Sequence, residues 1–108
     1  MAENLKQLIN QGLEAIEYLE KSSSKQKLTA LEILPQIKNG LLEFLKDKNL
    51  DKLRKILDLY KQSHILKQGT TDYSSVWLTE TQAQGKTVVL SAILDDIDEI
   101  AWKMINNP

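Results

Sequence analysis

Cysteine is absent from this chain, and with it go disulfides, thiolate metal sites and a cysteine nucleophile. Proline occurs twice, at Pro35 and Pro108, and glycine four times, so few residues interrupt regular structure. No apolar run approaches the roughly 18 residues of a membrane span. The opening stretch, MAENLKQLINQGLEAIEYLE, mixes charge with Leu and Ile and lacks both the basic head and the apolar centre of a secretion signal. A cytoplasmic protein without a membrane span is expected. Charge of one sign is also lacking: 14 Lys and Arg meet 15 Asp and Glu, a net charge of −1, which gives no general attraction to nucleic acid or anionic lipid. What is present is an ordinary apolar fraction of 42% in 108 residues. A chain this size buries about two thirds of its unfolded surface, enough for one core, so a single domain over 1–108 is expected.

The apolar residues fall at helical spacing in four places. Leu5, Leu8, Ile9, Gly12, Leu13, Ile16 and Leu19 recur at steps of three and four, predicting a helix from about Glu3 to Lys21. Ser22 to Ser24 interrupt it, and Ser23 with Gln26 has capping-box spacing. The second stripe, Leu28, Leu31, Leu34, Ile37, Leu41, Leu42, Phe44 and Leu45, holds one phase through Pro35. Continuous phase predicts one helix kinked near Pro35, because proline removes the hydrogen bond to Leu31 and crowds that turn. The competing possibility is a short helix ending at Leu34 and a new one beginning at Pro35. Gly40 is a second weak point. Asn49 has the character of an N-cap for a third helix, Leu50 to Lys67, with Leu50, Leu53, Ile56, Leu57, Tyr60 and His64 on its stripe. Leu59 and Leu66 lie on another side, over roughly 100° around the wheel.

Residues 68–86 have no sustained period and are rich in Gly, Ser, Thr and Gln. Unstructured connections of that length are uncommon in compact domains and are often functional. Within them Tyr73, Val76, Trp77 and Leu78 form either a helical turn begun by Asp72, the favoured reading, or one strand of a hairpin running through Gly85 to Val88 and Val89. The last helix is expected from Thr87 to Asn106, with Val89, Leu90, Ile93, Leu94, Ile97, Ile100, Ala101 and Met104 inward. The fold class predicted is all-α: an antiparallel four-helix bundle with a kink near Pro35 and a long loop between helices 3 and 4.

Motifs that specify chemistry are few. Glu14, Glu17 and Glu20, with Asp95, Asp96, Asp98 and Glu99, are the acids that a magnesium-dependent nucleotide pyrophosphohydrolase would need facing inward. The helical wheel instead turns them to water, opposite Ile16, Ile93 and Ile97, so a solvated acidic face is expected, with no metal and no cofactor. His64 has no carboxylate or nucleophile at a matching position on its own helix and reads as a partly buried, hydrogen-bonded residue. Lys46 to Lys55 holds five basic residues against two acidic ones. Asp47 and Asp51 dilute them and no aromatics interleave, which makes a weak nucleic-acid-binding regulator the lesser alternative. Residues 1–67 carry 12 Lys and Arg against 9 Asp and Glu, and residues 68–108 carry 2 against 6, an asymmetry suited to steering a partner.

Trp102 stands out. It lies about 180° from Ile93 on the wheel, on the side of Asp95, Asp98 and Glu99. Either the 68–86 connection folds back over it, or the indole anchors an interface. Together with Trp77, Tyr73, Leu59 and Leu66 it gives more large apolar surface than four stripes need. The expectation is a non-enzymatic protein that binds another protein, a homodimer being possible. In size, helix count and lack of cysteine the chain resembles small helical binders such as bacteriocin immunity proteins, antitoxins and phage-encoded inhibitors. It also resembles, in length and helicity, the secreted helical-hairpin proteins with a Trp-x-Gly turn, although Trp77 is followed here by Leu78 and Thr79.

Overall fold

The computed structural model describes residues 2–22, 28–66 and 80–106, with side-chain surroundings for 4–21, 34–62 and 80–106. These residues form four helices and a small two-stranded sheet, a mostly helical structure: α1 (Ala2–Ser22), α2 (Leu28–Asp47), α3 (Leu50–Leu66), β1 (Glu80–Ala83), β2 (Lys86–Val89) and α4 (Leu90–Asn106). Helix α1 packs on α2 and α4, α2 on α3, and α3 on α4, while β1 lies along α1 and β2 touches α4. None of these helices is long and apolar enough to cross a membrane.

The stripes meet in one core. Leu5, Ile9, Ile16 and Leu19 of α1, Leu34, Ile37, Leu41 and Phe44 of α2, Leu53, Leu57 and Tyr60 of α3, and Leu90, Ile93, Leu94, Ile97 and Ala101 of α4 are buried. Ala15 joins them, and Leu8, Leu13, Leu45, Leu50, Ile56, Leu59, Ile100 and Met104 close the margins. Two residues depart from their expected side. Leu42, assigned to the second stripe, is 41% exposed. Leu59, expected as surplus outer surface, is half-buried against the core, because α3 is flanked by both α2 and α4.

Helix α2 runs unbroken through the exposed Pro35. Its end and the start of α3 are joined by a two-residue link. Lys48 takes a left-handed conformation, φ 56°, and its N–H bonds the Phe44 carbonyl at 2.8 Å, an αL stop. The Asn49 carboxamide oxygen accepts from the N–H groups of Asp51 at 3.0 Å and Lys52 at 3.2 Å, the N-cap expected from the sequence. The Asp47 carboxylate accepts from the Asn49 N–H and from Lys52 Nζ, and these bonds hold its carboxyl below the usual range. The Ser23–Gln26 capping box lies outside the described residues.

The connection between α3 and α4 is not wholly irregular. Residues 80–89 form an antiparallel hairpin pairing Glu80 with Val89, Thr81 with Val88, Gln82 with Thr87 and Ala83 with Lys86. Gln84 (φ 54°) and Gly85 (φ 76°) both have positive φ, which defines a two-residue type I′ turn matched to strand twist. Thr81 and Ala83 alternate inward, the Thr81 hydroxyl donates to the Val88 carbonyl at 3.2 Å, and the Gln82 amide donates to Thr87 Oγ1 at 2.9 Å. The last helix therefore begins at Leu90 rather than Thr87, and Val89 belongs to a strand. The β-branched run Thr87–Val89 favours the pleat that a helical reading of it overlooked. Tyr73 to Leu78, read as a helical turn, lie outside the described residues.

Gly40, read as a weak point, is instead a packing requirement. A Cβ placed there meets Ile56 Cγ1 at 2.2 Å and Cδ1 at 2.7 Å, so α2 and α3 approach through the missing side chain. At Gly12 a Cβ lies 3.4 Å from Ile93 and 3.7 Å from Leu41, where α1, α2 and α4 converge.

Two stability predictions follow from this packing. Gly40→Ala gains about 1 kcal/mol of helix propensity but is expected to lose more to overpacking, a net loss of about 1–3 kcal/mol by urea denaturation. The loss should shrink sharply in a Gly40→Ala, Ile56→Ala double variant, a coupling that a double-mutant cycle reads directly. Gln84→Asn places a residue at ease in the left-handed region and should stabilise the hairpin by about 0.5 kcal/mol, seen as a rise in thermal midpoint.

Candidate interaction surface

The outer side of α4 carries half of the residues singled out from the sequence for partner binding: Asp95, Asp98, Glu99 and Trp102. Trp102 is 51% exposed, the most exposed of the large apolar side chains among the described residues. Its helix turns it there because Ile93, Leu94, Ile97 and Ala101 already occupy the inward stripe, and the next position in phase is Met104. The Asn106 amide donates to the Trp102 carbonyl at 2.9 Å, which satisfies one of the last-turn acceptors. Glu99 and Lys103 form an i, i+4 ion pair at 3.1 Å beside the indole, both largely exposed.

Of the other two acids of this face, Asp95 is exposed as expected and Asp98 is not. Asp98 is only 15% exposed at its side chain, with Oδ2 paired to Lys61 Nζ of α3. Its Oδ1 is buried without a hydrogen-bond partner among the described residues, as is Nε of Arg54, on the same helix as Lys61. Asp95 keeps an exposed carboxylate, but its Oδ1 accepts from the Tyr60 hydroxyl at 3.2 Å. The same hydroxyl lies 3.4 Å from the Ser91 carbonyl. Burial first, and the negative charge of Asp95 second, raise the Tyr60 phenol well above its ordinary pKa of 10.0, so it stays protonated and donates. The acids at 95 and 98 thus join α4 to α3, a contact the wheel of a single helix cannot reveal.

The carboxylates of α1 also find cations. Glu17 and Glu20 flank Lys38 of α2 at 3.8 and 3.5 Å. Among the described residues no group of three or more His, Asp and Glu is arranged to hold a metal ion.

Alongside Trp102 runs a groove of about 500 Å³ between α1 and α4, with the hairpin turn at one side. Asn4, Gln7 and Gln11, at i, i+3 and i+7 on α1, face Asp96, Glu99 and Lys103 of α4, with Leu8 and Ile100 beneath. The row of amides is a signal that sequence reading passed over, since amides contribute neither to charge nor to an apolar stripe. Tyr18 and Leu42, both 41% exposed, were likewise not singled out as surface residues. The candidates Tyr73 and Trp77, and the side chains of Leu66 and His64, lie outside the described residues. The structure therefore brings Trp102, Asp95, Asp98 and Glu99 onto one helix face, and it removes Leu59 from the exposed set.

Compared with protein-family models, with curated proteins and with solved structures, the chain matches none of them.

The buried phenol gives a pH prediction. In the unfolded chain Tyr60 ionises near pH 10, whereas folding holds its proton to higher pH, so its contribution is complete below pH 10 and is lost as pH rises beyond it. Tyr60→Phe should cost about 1 kcal/mol at pH 7. The gap to the parent protein should narrow by up to about 1.4 kcal/mol per pH unit above pH 10, as read from thermal midpoints across pH 7 to 11.

Proposed function

We propose that this chain is an antiparallel four-helix bundle, bent near Pro35, that acts by binding another protein and catalyses no reaction itself, in the manner of an immunity protein, antitoxin or inhibitor. The observation that carries the reading is Trp102: half of a large indole stands in water on a helix whose core positions are otherwise filled. Such a residue lowers solubility without contributing to the core, and buried aromatics dominate the energy of protein interfaces.

The charges around it specify the kind of partner. Asp95, Asp96 and Glu99 are exposed on the same helix, and Lys103 is tied to Glu99. An acidic surround favours a basic partner surface and speeds encounter, while the indole supplies the affinity. A second copy docking through the same face would set these acids against their own equivalents, which favours a different protein over a homodimer here. The amide-lined groove beside Trp102 adds donors and acceptors at the rim, where interfaces are polar and wet.

Trp102→Ala tests the assignment. Because the side chain is half exposed, the variant should keep its fold, with stability within about 0.5 kcal/mol of the parent. Immobilised parent protein should retain a specific protein from an extract of its own cell, and the purified partner should bind the variant about 30-fold more weakly, the scale of a hot spot of about 2 kcal/mol. Equal affinity for both proteins removes α4 from the interface.

A further inference from the structure

At the end of the molecule away from the hairpin turn, the beginning of α1, the end of α2, the beginning of α3 and the end of α4 surround a cavity of about 230 Å³. Leu5, Phe44, Leu50 and Met104 form its walls, and Lys6 and Lys48 stand at its mouth. Four apolar side chains from four helices converge there without filling the space between them. The hollow opens to solvent, and a concave, mostly apolar pocket with a few polar groups at its edge is the usual form of a small-molecule site. An apolar cavity of about 150 Å³ is enough to take up benzene.

The mouth supplies the second, independent observation. Among the residues whose side chains are described, no carboxylate lines the cavity, and the two polar residues that do are lysines. Neither Lys6 nor Lys48 forms an ion pair with any residue whose side chain is described, a property they share with Lys21, Lys46, Lys55 and Lys86; what sets these two apart is their place on an apolar cavity. The position of Lys48 is fixed by its left-handed backbone at the α2–α3 link, and its ammonium lies 6.0 Å from the Phe44 ring centroid, directly over a cavity wall. An apolar hollow with two lysines on its lining is complementary to a molecule with an apolar body and one anionic end.

From this geometry we infer that the end cavity binds a free amphipathic carboxylate, such as a medium-chain fatty acid, with its chain among Leu5, Phe44, Leu50 and Met104 and its carboxylate between Lys6 and Lys48. The site is separate from the Trp102 face: residues 102 and 104 point about 160° apart on α4. Partner binding through Trp102 and ligand uptake at this end can therefore succeed or fail independently.

The test titrates the full chain with hexanoate, octanoate, octan-1-ol and octyltrimethylammonium below their micellar concentrations, following the methyl resonances of Leu5, Leu50 and Met104. Octanoate should bind saturably at these methyls, ahead of octanol, with octyltrimethylammonium weakest. Each added methylene should raise affinity about fourfold until the cavity is full. Lys6→Gln with Lys48→Gln, a surface change that leaves the walls intact, should weaken octanoate about fivefold and leave octanol unchanged. Met104→Phe, which fills the hollow, should abolish both. The inference is overturned if no ligand binds saturably, if the cation binds as well as the carboxylate, or if the shifts map to another surface. It is equally overturned if sedimentation shows a dimer that Met104→Phe dissociates, which makes a second copy the occupant, or if the protein binds anionic phospholipid vesicles but not free octanoate.

Discussion

The close approach of helices at two glycines sets the geometry on which the rest depends. Gly40 lets α2 press against Ile56 of α3, and Gly12 lets α1 meet Leu41, Ile93 and Ile97. A Cβ at position 40 would have to share space with the Ile56 side chain, so α2 and α3 would separate and the α3 core residues Leu53 and Leu57 would lose their fit. Glycine is a poor helix former, and its placement inside two helices is a local cost offset by dispersion contacts across the interface. Helix positions are thereby fixed to within a side chain's width, and so are the surfaces at their edges.

Those edges divide the polar groups of α4 between two tasks. Tyr60, Lys61, Asp95 and Asp98 lie at the junction of α3 with α4, where a buried phenol donates to a carboxylate and an ammonium pairs with one that is mostly buried. Such a junction favours one rotation of α4 about its axis, because a turned helix would leave the phenol and the Asp98 carboxylate desolvated and unpaired. With that rotation fixed, Trp102 and Glu99 must point outward and Met104 toward the apolar end. One junction thus accounts for the indole in solvent at one side of the helix and for the cavity wall at the other.

Much of the helical framework was legible in the chain. The apolar period located α1 and α3 to within a residue or two, and Asn49 announced the start of α3 through the oxygen that its side chain offers to two free N–H groups. The hairpin was less legible. Its turn uses Gln-Gly rather than the commoner Asn-Gly or Asp-Gly, and its strands are four residues long, too short for alternation to stand out. Val89 continues the apolar phase of the following helix, so a period-based reading draws that helix back over the strand. Asp95, Asp96 and Glu99 are exposed, as the wheel of α4 places them, but Asp98 is mostly buried against Lys61, since a wheel drawn for one helix carries no information about how far its neighbour's side chains reach.

The sequence alone determined that four amphipathic segments exist, where three of them stop, and which side of each seeks burial, because those properties depend on neighbours three or four residues away and on local capping. Only the tertiary structure decided that Gly40 is a contact point, that Asp98 is largely buried, that Leu59 packs half-buried against the core while Leu42 does not, and that four helix ends surround an open hollow lined by two lysines. Each of these depends on the distance between residues remote in the chain, a quantity set by packing of whole helices and absent from any local pattern.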